Sequence, residues 1–442
     1  NSGRDTSREG AGRVEALELY IHIPFCVKKC LYCDFNSHPG SPKEQAAYVG
    51  ALVKEIDWWG RLIGRKQVAS VFVGGGTPSW LDYSLMEQIF AAVHRNFSLA
   101  RDAEVSLELN PGIVTAKALR AYQRMGINRV SIGLQSSNDD ELVLLGRIHS
   151  WNDFLRTFEH VRAAGFSNVN VDIMTGLPLQ TEDKLKRTLQ MVTMLRPEHI
   201  SAYSLIVEPG TPFYERYAGD IARRERGEKT LELPDSDLEY ALYDMTRTFL
   251  TGKGYRQYEI SNYAREGYAC RHNLGYWERK PYLGFGVGAA SLLCDSLIDR
   301  HFNRNPLMRK DPAQRSCAYP NLRFSNIPET DRYIDLWEKY DPGQQLDLDE
   351  VLADAPWIDS KTVQKLTRRE AMEEFLFLGL RKTRGIREAD FFNAFGLPIG
   401  SVYGSTLESQ SKRGLLRRQG GMIALTKAGT DISNQVLAEY LR

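Results

Sequence analysis

Three of the six cysteines, Cys26, Cys30 and Cys33, crowd into a C-x3-C-x2-C run, while Cys270, Cys294 and Cys317 are scattered. Thiolates are soft ligands, and three in one short loop suit a soft metal centre. Structural zinc usually takes four ligands in a tetrahedron. No further Cys or His completes this loop at tetrahedral spacing, although His22 lies upstream and His38 follows the third cysteine by five residues. A four-iron cluster held by three thiolates keeps one iron free for a small molecule. A zinc knot completed by His38, or three unrelated thiols, are the other readings of the same spacing.

Such a loop must hang from something rigid. Between Leu19 and Val207, short apolar runs alternate with amphipathic segments. Leu19–Pro24, Val68–Val73, Glu104–Leu109, Arg129–Gln135, Val169–Met174 and His199–Val207 predict strands buried on both faces. Helical periodicity fills the gaps at Lys43–Ile63, Ser84–Phe97, Ala116–Met125, Trp151–Ala164 and Thr181–Leu195; Leu85, Ile89, Phe90 and Val93, for example, share one face. Six βα units in series predict an α/β fold, a parallel sheet with helices outside and right-handed crossovers. Pattern alone leaves open whether the series closes as a barrel. After a helix at Asp235–Leu250 comes a glycine-rich segment, Tyr282–Ala290, and then a stretch from Cys294 to Tyr319 without period, read as an irregular insertion or mobile loop. From Glu329 the chain is helical and charged, with helices expected at Glu370–Lys382, Arg387–Phe395, Val402–Arg413 and Ile432–Leu441. A hairpin around Gly420-Gly421, with apolar Met422–Leu425, gives this module a winged-helix look. Its mixed charge favours a packing or partner role over DNA binding. The expected divisions are a polar tail (1–17), a barrel (18–265), a segment carrying the insertion 294–319 (266–328) and the C-terminal module (329–442).

Composition narrows the class. The chain has 442 residues, 42% of them hydrophobic, which excludes a disordered or fibrous protein. Lys plus Arg number 57 against 56 Asp plus Glu, so charge supplies no footprint for nucleic acid. Six cysteines are too few for a secreted disulfide scaffold of this length. The uncharged stretch Tyr282–Cys294 falls short of the roughly 20 apolar residues that span a bilayer, and no other uncharged run reaches that length. The polar start lacks an apolar signal core. A soluble, cytoplasmic protein is expected, with peripheral membrane association left open.

In its wider setting, the segment from Tyr20 to Phe35 resembles the cluster loop of radical S-adenosylmethionine (SAM) enzymes. It is similar in particular to the oxygen-independent coproporphyrinogen oxidase-like family (HemN/HemW). Further segments match in the same order: Gly74–Pro78, Glu108–Pro111, Ser131–Ser136, Asp172–Pro178, Ser201–Thr211, Tyr258–Asn262, His272–Trp277 and Glu373–Arg381. The resemblance implies a partial, six-stranded (β/α)6 TIM-like barrel, with its site at the C-terminal ends of the strands. It implies a [4Fe-4S] cluster on Cys26, Cys30 and Cys33, with SAM chelating the open iron. Gly75, Gly76 and Thr77 would then contact the cofactor, bare glycine backbone allowing close approach. Arg147 would meet the methionyl carboxylate, whose paired oxygens suit a guanidinium. Glu108, Gln135 and Asp172 would serve the ribose, and Tyr20, Tyr32 and Ile206 would border the nucleoside. The implied chemistry is one-electron reduction of the sulfonium and homolysis of a C–S bond, giving methionine and a 5′-deoxyadenosyl radical.

The branch is read from two places. Decarboxylases of the family carry a further cysteine two positions after the third cluster cysteine, where this chain has Phe35. His272–Trp277 resembles the haem-chaperone branch, whose members bind haem and are thought to deliver it to haemoproteins. His272 would donate an imidazole nitrogen to haem iron. Tyr276 and Trp277 would cover an apolar macrocycle face. Cys270 is the alternative axial ligand. Haem and haem-accepting proteins are the expected partners. The rivals are a radical methyltransferase or other tailoring enzyme on the same scaffold, and authentic coproporphyrinogen III oxidation.

Overall fold

The predicted apolar runs form six parallel strands: β1 (Leu17–Ile23), β2 (Gln67–Gly75), β3 (Ser98–Leu109), β4 (Arg129–Gln135), β5 (Val169–Thr175) and β6 (His199–Ser204). The fold is seen in a computed structural model that describes residues 16–294, 319–340 and 355–441. Each strand pairs with the next in chain order. Five helices connect them: α1 (Pro42–Ile63), α2 (Tyr83–Asn96), α3 (Ala116–Arg124), α4 (Trp151–Ala163) and α5 (Glu182–Met194). Reciprocal caps mark two of their starts, Ser41 with Glu44 and Ser150 with Asp153, satisfying backbone N–H groups that a first turn leaves free. One face of the strands (Leu19, Ile21, Val71, Val73, Leu107, Ile132, Val171, Ile200) is wholly buried in the core shared with the helices.

The sheet does not close. Beyond β6 lies an antiparallel strand, Asn262–Ala264, and beyond β1 a seventh parallel strand, β7 (Tyr282–Phe285). Antiparallel β8 (Ala290–Leu293) and β9 (Leu322–Ser325) extend that edge, and short strands at Gln364–Lys365 and Arg256–Gln257 end the sheet on its two sides, giving twelve strands among the described residues. The glycine-rich Tyr282–Ala290 segment is therefore mostly sheet. Its glycines allow the tight β7–β8 hairpin: a Cβ on Gly284 would lie 2.2 Å from the Ala290 carbonyl oxygen. Buried Glu55 of α1 pins this hairpin, accepting from Gly286 N (2.8 Å), Asn326 Nδ2 (2.7 Å) and the Tyr333 hydroxyl. The expected insertion at 294–319 lies almost wholly outside the described residues.

The C-terminal module has its own core around Phe391, Phe395, Tyr403, Leu407, Ile423 and Tyr440. Helices Arg368–Gly379, Glu388–Phe395 and Ile399–Lys412 pack with a hairpin, Leu416–Gln419 and Met422–Leu425, to which Ile386–Arg387 adds a third strand. The last helix, expected at Ile432–Leu441, is shorter, Ser433–Ala438, and a separate short helix, Lys427–Asp431, precedes it. Glu374 of the module accepts from Arg279 (2.9 Å) and pairs with Arg323 (2.8 Å); Lys382 and Arg384 both reach Glu278. No helix among the described residues is long and apolar enough to cross a membrane.

TIM-type barrels are usually filled by branched apolar side chains. The inner face here is polar instead, with Glu18, Tyr20 and His22 on β1, Ser70 on β2, Glu104 and Glu108 on β3, Arg129 on β4, Asp172 on β5 and His199 on β6. Toward the N-terminal ends of the strands this interior is plugged by a seven-residue helix, α6 (Arg271–Trp277). Glu104 caps it, accepting from Arg271 N (3.0 Å), His272 N (3.2 Å) and the Cys270 thiol (3.3 Å). Gly275 lies so close to Glu18 that a Cβ would come within 2.1 Å of either carboxyl oxygen. Burial, only partly opposed by Lys280, pushes the Glu18 carboxyl up to about 8.

An unfolded Glu18 loses its proton near pH 4.5, whereas the folded one keeps it to about 8, so its contribution to stability falls as pH rises between those values. Glu18→Gln removes that term. Its melting temperature should match wild type near pH 4.5 and exceed it by at least about 2 °C at pH 8. Melting curves that stay parallel across this range would show that Glu18 is ionised inside the fold.

Candidate cluster and cofactor site

The cysteine loop leaves the C-terminal end of β1. Its base is closed by a short parallel pairing of Phe25–Cys26 with His38–Pro39. Phe25, fully buried, sits edge-on to Tyr48 and His38 at 5.4 and 5.5 Å. Hydrogen bonds hold the span between, among them His22 Nε2 with Asn36 O (2.8 Å), Lys29 Nζ to Phe35 O (2.9 Å), Leu31 N to Leu145 O (3.1 Å) and Phe213 N to Leu31 O (3.1 Å). Cys26 is buried; Cys30 and Cys33 are partly exposed, and all three are free thiols. His38, the fourth ligand a zinc knot would need, bonds Glu44 through Nε2 at 2.8 Å. Among the described residues no three His, Cys, Asp or Glu side chains converge on a point that could hold a single metal ion. A multi-iron cluster takes each thiolate at a different corner and needs no fourth protein ligand, so three thiols on one loop, with His38 engaged by Glu44, suit it better than they suit zinc.

The glycine run at the end of β2 packs beneath this loop. Gly75 has φ +117°, a region open to glycine at no steric cost. A Cβ on Gly76 would stand 2.7 Å from Phe25 O and 2.9 Å from Cys26 Sγ. The backbone donors of the turn are spent inward: Gly75 N on Glu108 Oε2 (3.1 Å), Gly76 N on Ile23 O (2.8 Å) and Thr77 N on Phe25 O (2.7 Å). What such a turn can offer a ligand is acceptors, the need of an ammonium group.

Arg147 reaches over the loop from beyond β4. It donates to Cys30 Sγ (3.6 Å), Asn110 Oδ1 (2.8 Å) and Gly133 O (2.7 Å). Desolvation, with Asp172 beside it, pushes the Glu108 carboxyl up to about 8. Asp172 is raised as well, by desolvation, and accepts from Ser131 Oγ (3.0 Å) and Asn170 Nδ2 (2.7 Å). Gln135 sits at a break in the β4–β5 register with φ +74°, a strained conformation for a residue with a side chain. Its Oε1 accepts from the Tyr203 hydroxyl at 2.9 Å. Tyr20 is part of the barrel wall, its hydroxyl 3.0 Å from His22 Nδ1 and its ring stacked on Phe72. Tyr32 is half-buried against Phe213, and Ile206 is 69% exposed just past β6. One cleft is lined by Cys30, Thr77, Asn110, Arg147 and Ile148; a second, sharing Cys30, by Lys29, Cys33 and Pro209–Pro212. Asn110 and Tyr203 are two partners that sequence reasoning did not single out, although both lie inside the quoted segments Glu108–Pro111 and Ser201–Thr211.

The expected haem residues lie elsewhere, on α6 inside the barrel. His272 is 1% exposed. Its Nδ1 pairs with Ser70 Oγ (2.8 Å), its Nε2 with the Tyr276 hydroxyl (3.0 Å), and its ring stacks on Phe72. Burial, with the Arg129 cation nearby, depresses its pKa to about 3, so the imidazole is neutral. The Trp277 ring is covered by the Arg381 guanidinium at 4.7 Å, and the buried Cys270 thiol is bonded to Glu104. The open imidazole and macrocycle-covering aromatics expected from sequence are thus not presented in this conformation. A polar interior needs polar partners, and α6 supplies them. Nor does this segment join the other motifs at the C-terminal ends of the strands.

A barrel open at one side, three thiols on the loop after its first strand and a glycine turn beneath them define a radical SAM protein. Residues 20–192 match the Radical SAM superfamily and residues 366–432 the HemN C-terminal domain. The chain is 31% identical over 423 residues to the haem chaperone HemW of Bacillus subtilis, covering 96% of this chain and 98% of that one. It is 39% identical over 278 residues to HemW of Escherichia coli, covering 63% and 70% respectively. Coproporphyrinogen III oxidase (HemN) from Escherichia coli shares the fold, with a TM-score of 0.74 at 22% identity over 96% of this chain and 90% of that one. The chain belongs to the HemN/HemW family.

Because Gly76 leaves no room for a Cβ beside Cys26, Gly76→Ala should reduce iron and acid-labile sulfide per chain after anaerobic reconstitution, with circular dichroism unchanged. Loading equal to wild type would show that the loop does not rely on this close approach.

Proposed function

We propose that this protein is a haem chaperone of the HemW type, holding a [4Fe-4S] cluster on Cys26, Cys30 and Cys33 with SAM beside it and passing haem to haem-accepting proteins. The observation that carries this reading is identity running the length of both chains with a haem chaperone. Phe35, 61% exposed on the cluster loop, agrees with that branch. Bound together, cluster and SAM would supply one-electron chemistry at a sulfonium. The chain's part is to hold them. Three thiols would bind the iron, and the Gly74–Thr77 turn would accept from the amino group. Arg147 would meet the carboxylate, and Glu108, Gln135 and Asp172 would face the ribose.

Haem is cargo in this reading, and its coordination by His272 requires α6 to leave its seat. That movement breaks the bonds to Ser70 and Glu104. A helix of seven residues has little stability of its own, so the seat is what holds it.

Haemin added to the reconstituted protein should give a Soret shift that develops slowly. Glu104→Gln, which weakens the cap, should make it faster, and His272→Ala should abolish it. An unchanged Soret response in His272→Ala would remove this residue as the ligand. No haem uptake by wild type would overturn the chaperone reading. The residues assigned to SAM, with Arg147 against Cys30, also suit a second reading in which SAM is cleaved, which 5′-deoxyadenosine formation under reducing conditions would reveal.

A further inference from the structure

Arg147 is a cation whose hydrogen-bond partners are a sulfur, an amide oxygen, a carbonyl oxygen and the Tyr32 hydroxyl, none of them a carboxylate. A guanidinium only donates. The amide of Asn110 must therefore turn its oxygen toward Arg147, and its nitrogen then donates to Thr77 Oγ1 at 2.7 Å. The Asn110 backbone is fixed in turn, its N–H reaching Ser79 Oγ at 3.4 Å. One half-buried side chain thus joins the two ends of the site, the arginine that lies against a cluster cysteine and the hydroxyl that ends the glycine turn. On the far side, Gly133 keeps this space clear: a Cβ there would lie 3.1 Å from Asn110 Oδ1 and 3.3 Å from Arg147 Nη2.

We propose that Asn110 is a positioning residue for SAM: by bridging Arg147 and Thr77 it fixes the guanidinium beside the Cys30 sulfur, in the pose that receives the methionyl carboxylate. This rests on the cluster-and-SAM reading above. A neutral amide suits the task because it orients the guanidinium while leaving its charge unpaired for an incoming anion. Without the bridge, Arg147 keeps the Gly133 carbonyl, the sulfur and the Tyr32 hydroxyl, and loses its link to Thr77.

The full-length protein, reconstituted anaerobically and reduced, is titrated with SAM while the cluster's electron paramagnetic resonance spectrum is followed. Asn110→Ala should load as much iron as wild type but bind SAM about 10-fold more weakly, the usual scale for loss of an outer-shell partner. Asn110→Asp, which keeps an oxygen for Arg147 but pairs its charge, should also bind SAM more weakly than wild type. In an Arg147→Ala background the Asn110→Ala effect should vanish, because the residue acts through the arginine. Should Asn110→Ala not fold, Asn110→Ser serves in its place. SAM affinity unchanged in the Ala or Ser variant, or a loss that persists without Arg147, overturns the proposal alone. A wild-type spectrum that does not respond to SAM overturns the proposal together with the reading it rests on.

Discussion

Two backbone hydrogen bonds, Gly76 N to Ile23 O and Thr77 N to Phe25 O, dock the end of β2 against the root of the cysteine loop. The rest of the site is built on this contact. It brings a turn without side chains under Cys26, and it aims Thr77 at Asn110 and hence at Arg147. Backbone can approach a sulfur this closely only where no Cβ intervenes. The glycines are therefore a steric condition for the loop and the cofactor turn to share one face.

The same geometry explains why so many carboxyls sit inside the barrel. A site meant for a polar nucleoside needs acceptors on its walls, and the walls continue downward as the barrel interior. Glu108 and Glu18 keep their protons well above the ordinary carboxyl range because desolvation disfavours their charge. Arg129 and the α6 segment then satisfy what lies below. Ser106 accepts from Arg129, and Glu104 takes both the helix N-terminus and the Cys270 thiol. Polar function above is accommodated by polar packing beneath.

How much of this was legible in the sequence depends on the kind of signal. The six strands were, because Val- and Ile-rich runs such as Val68–Val73 have no other stable place than a doubly covered sheet. The cysteine spacing pointed to the cluster, and the ordered motifs named most of the residues around it. β7 was obscured because Tyr-Leu-Gly-Phe lacks a strand-like alternation and its glycines serve the following hairpin. The place of α6 was not legible, since a motif carries no address. His272, Tyr276 and Trp277 read as ligand and lid, and only the partners Ser70, Phe72 and Arg381 show what they touch here. Backbone strain at Gln135 and the two hydrogen bonds made by the Asn110 amide depend on residues distant in the chain.

The residues that follow α6 have a mechanical consequence. Glu278 and Arg279 come directly after Trp277, and the C-terminal module grips both, through Lys382, Arg384 and Glu374. Arg279 also holds a left-handed turn, with φ +52°. The plug and the module are therefore linked like a valve and its handle. Tilting the module would pull on the barrel's stopper, and pushing the stopper outward would be felt at the module's surface.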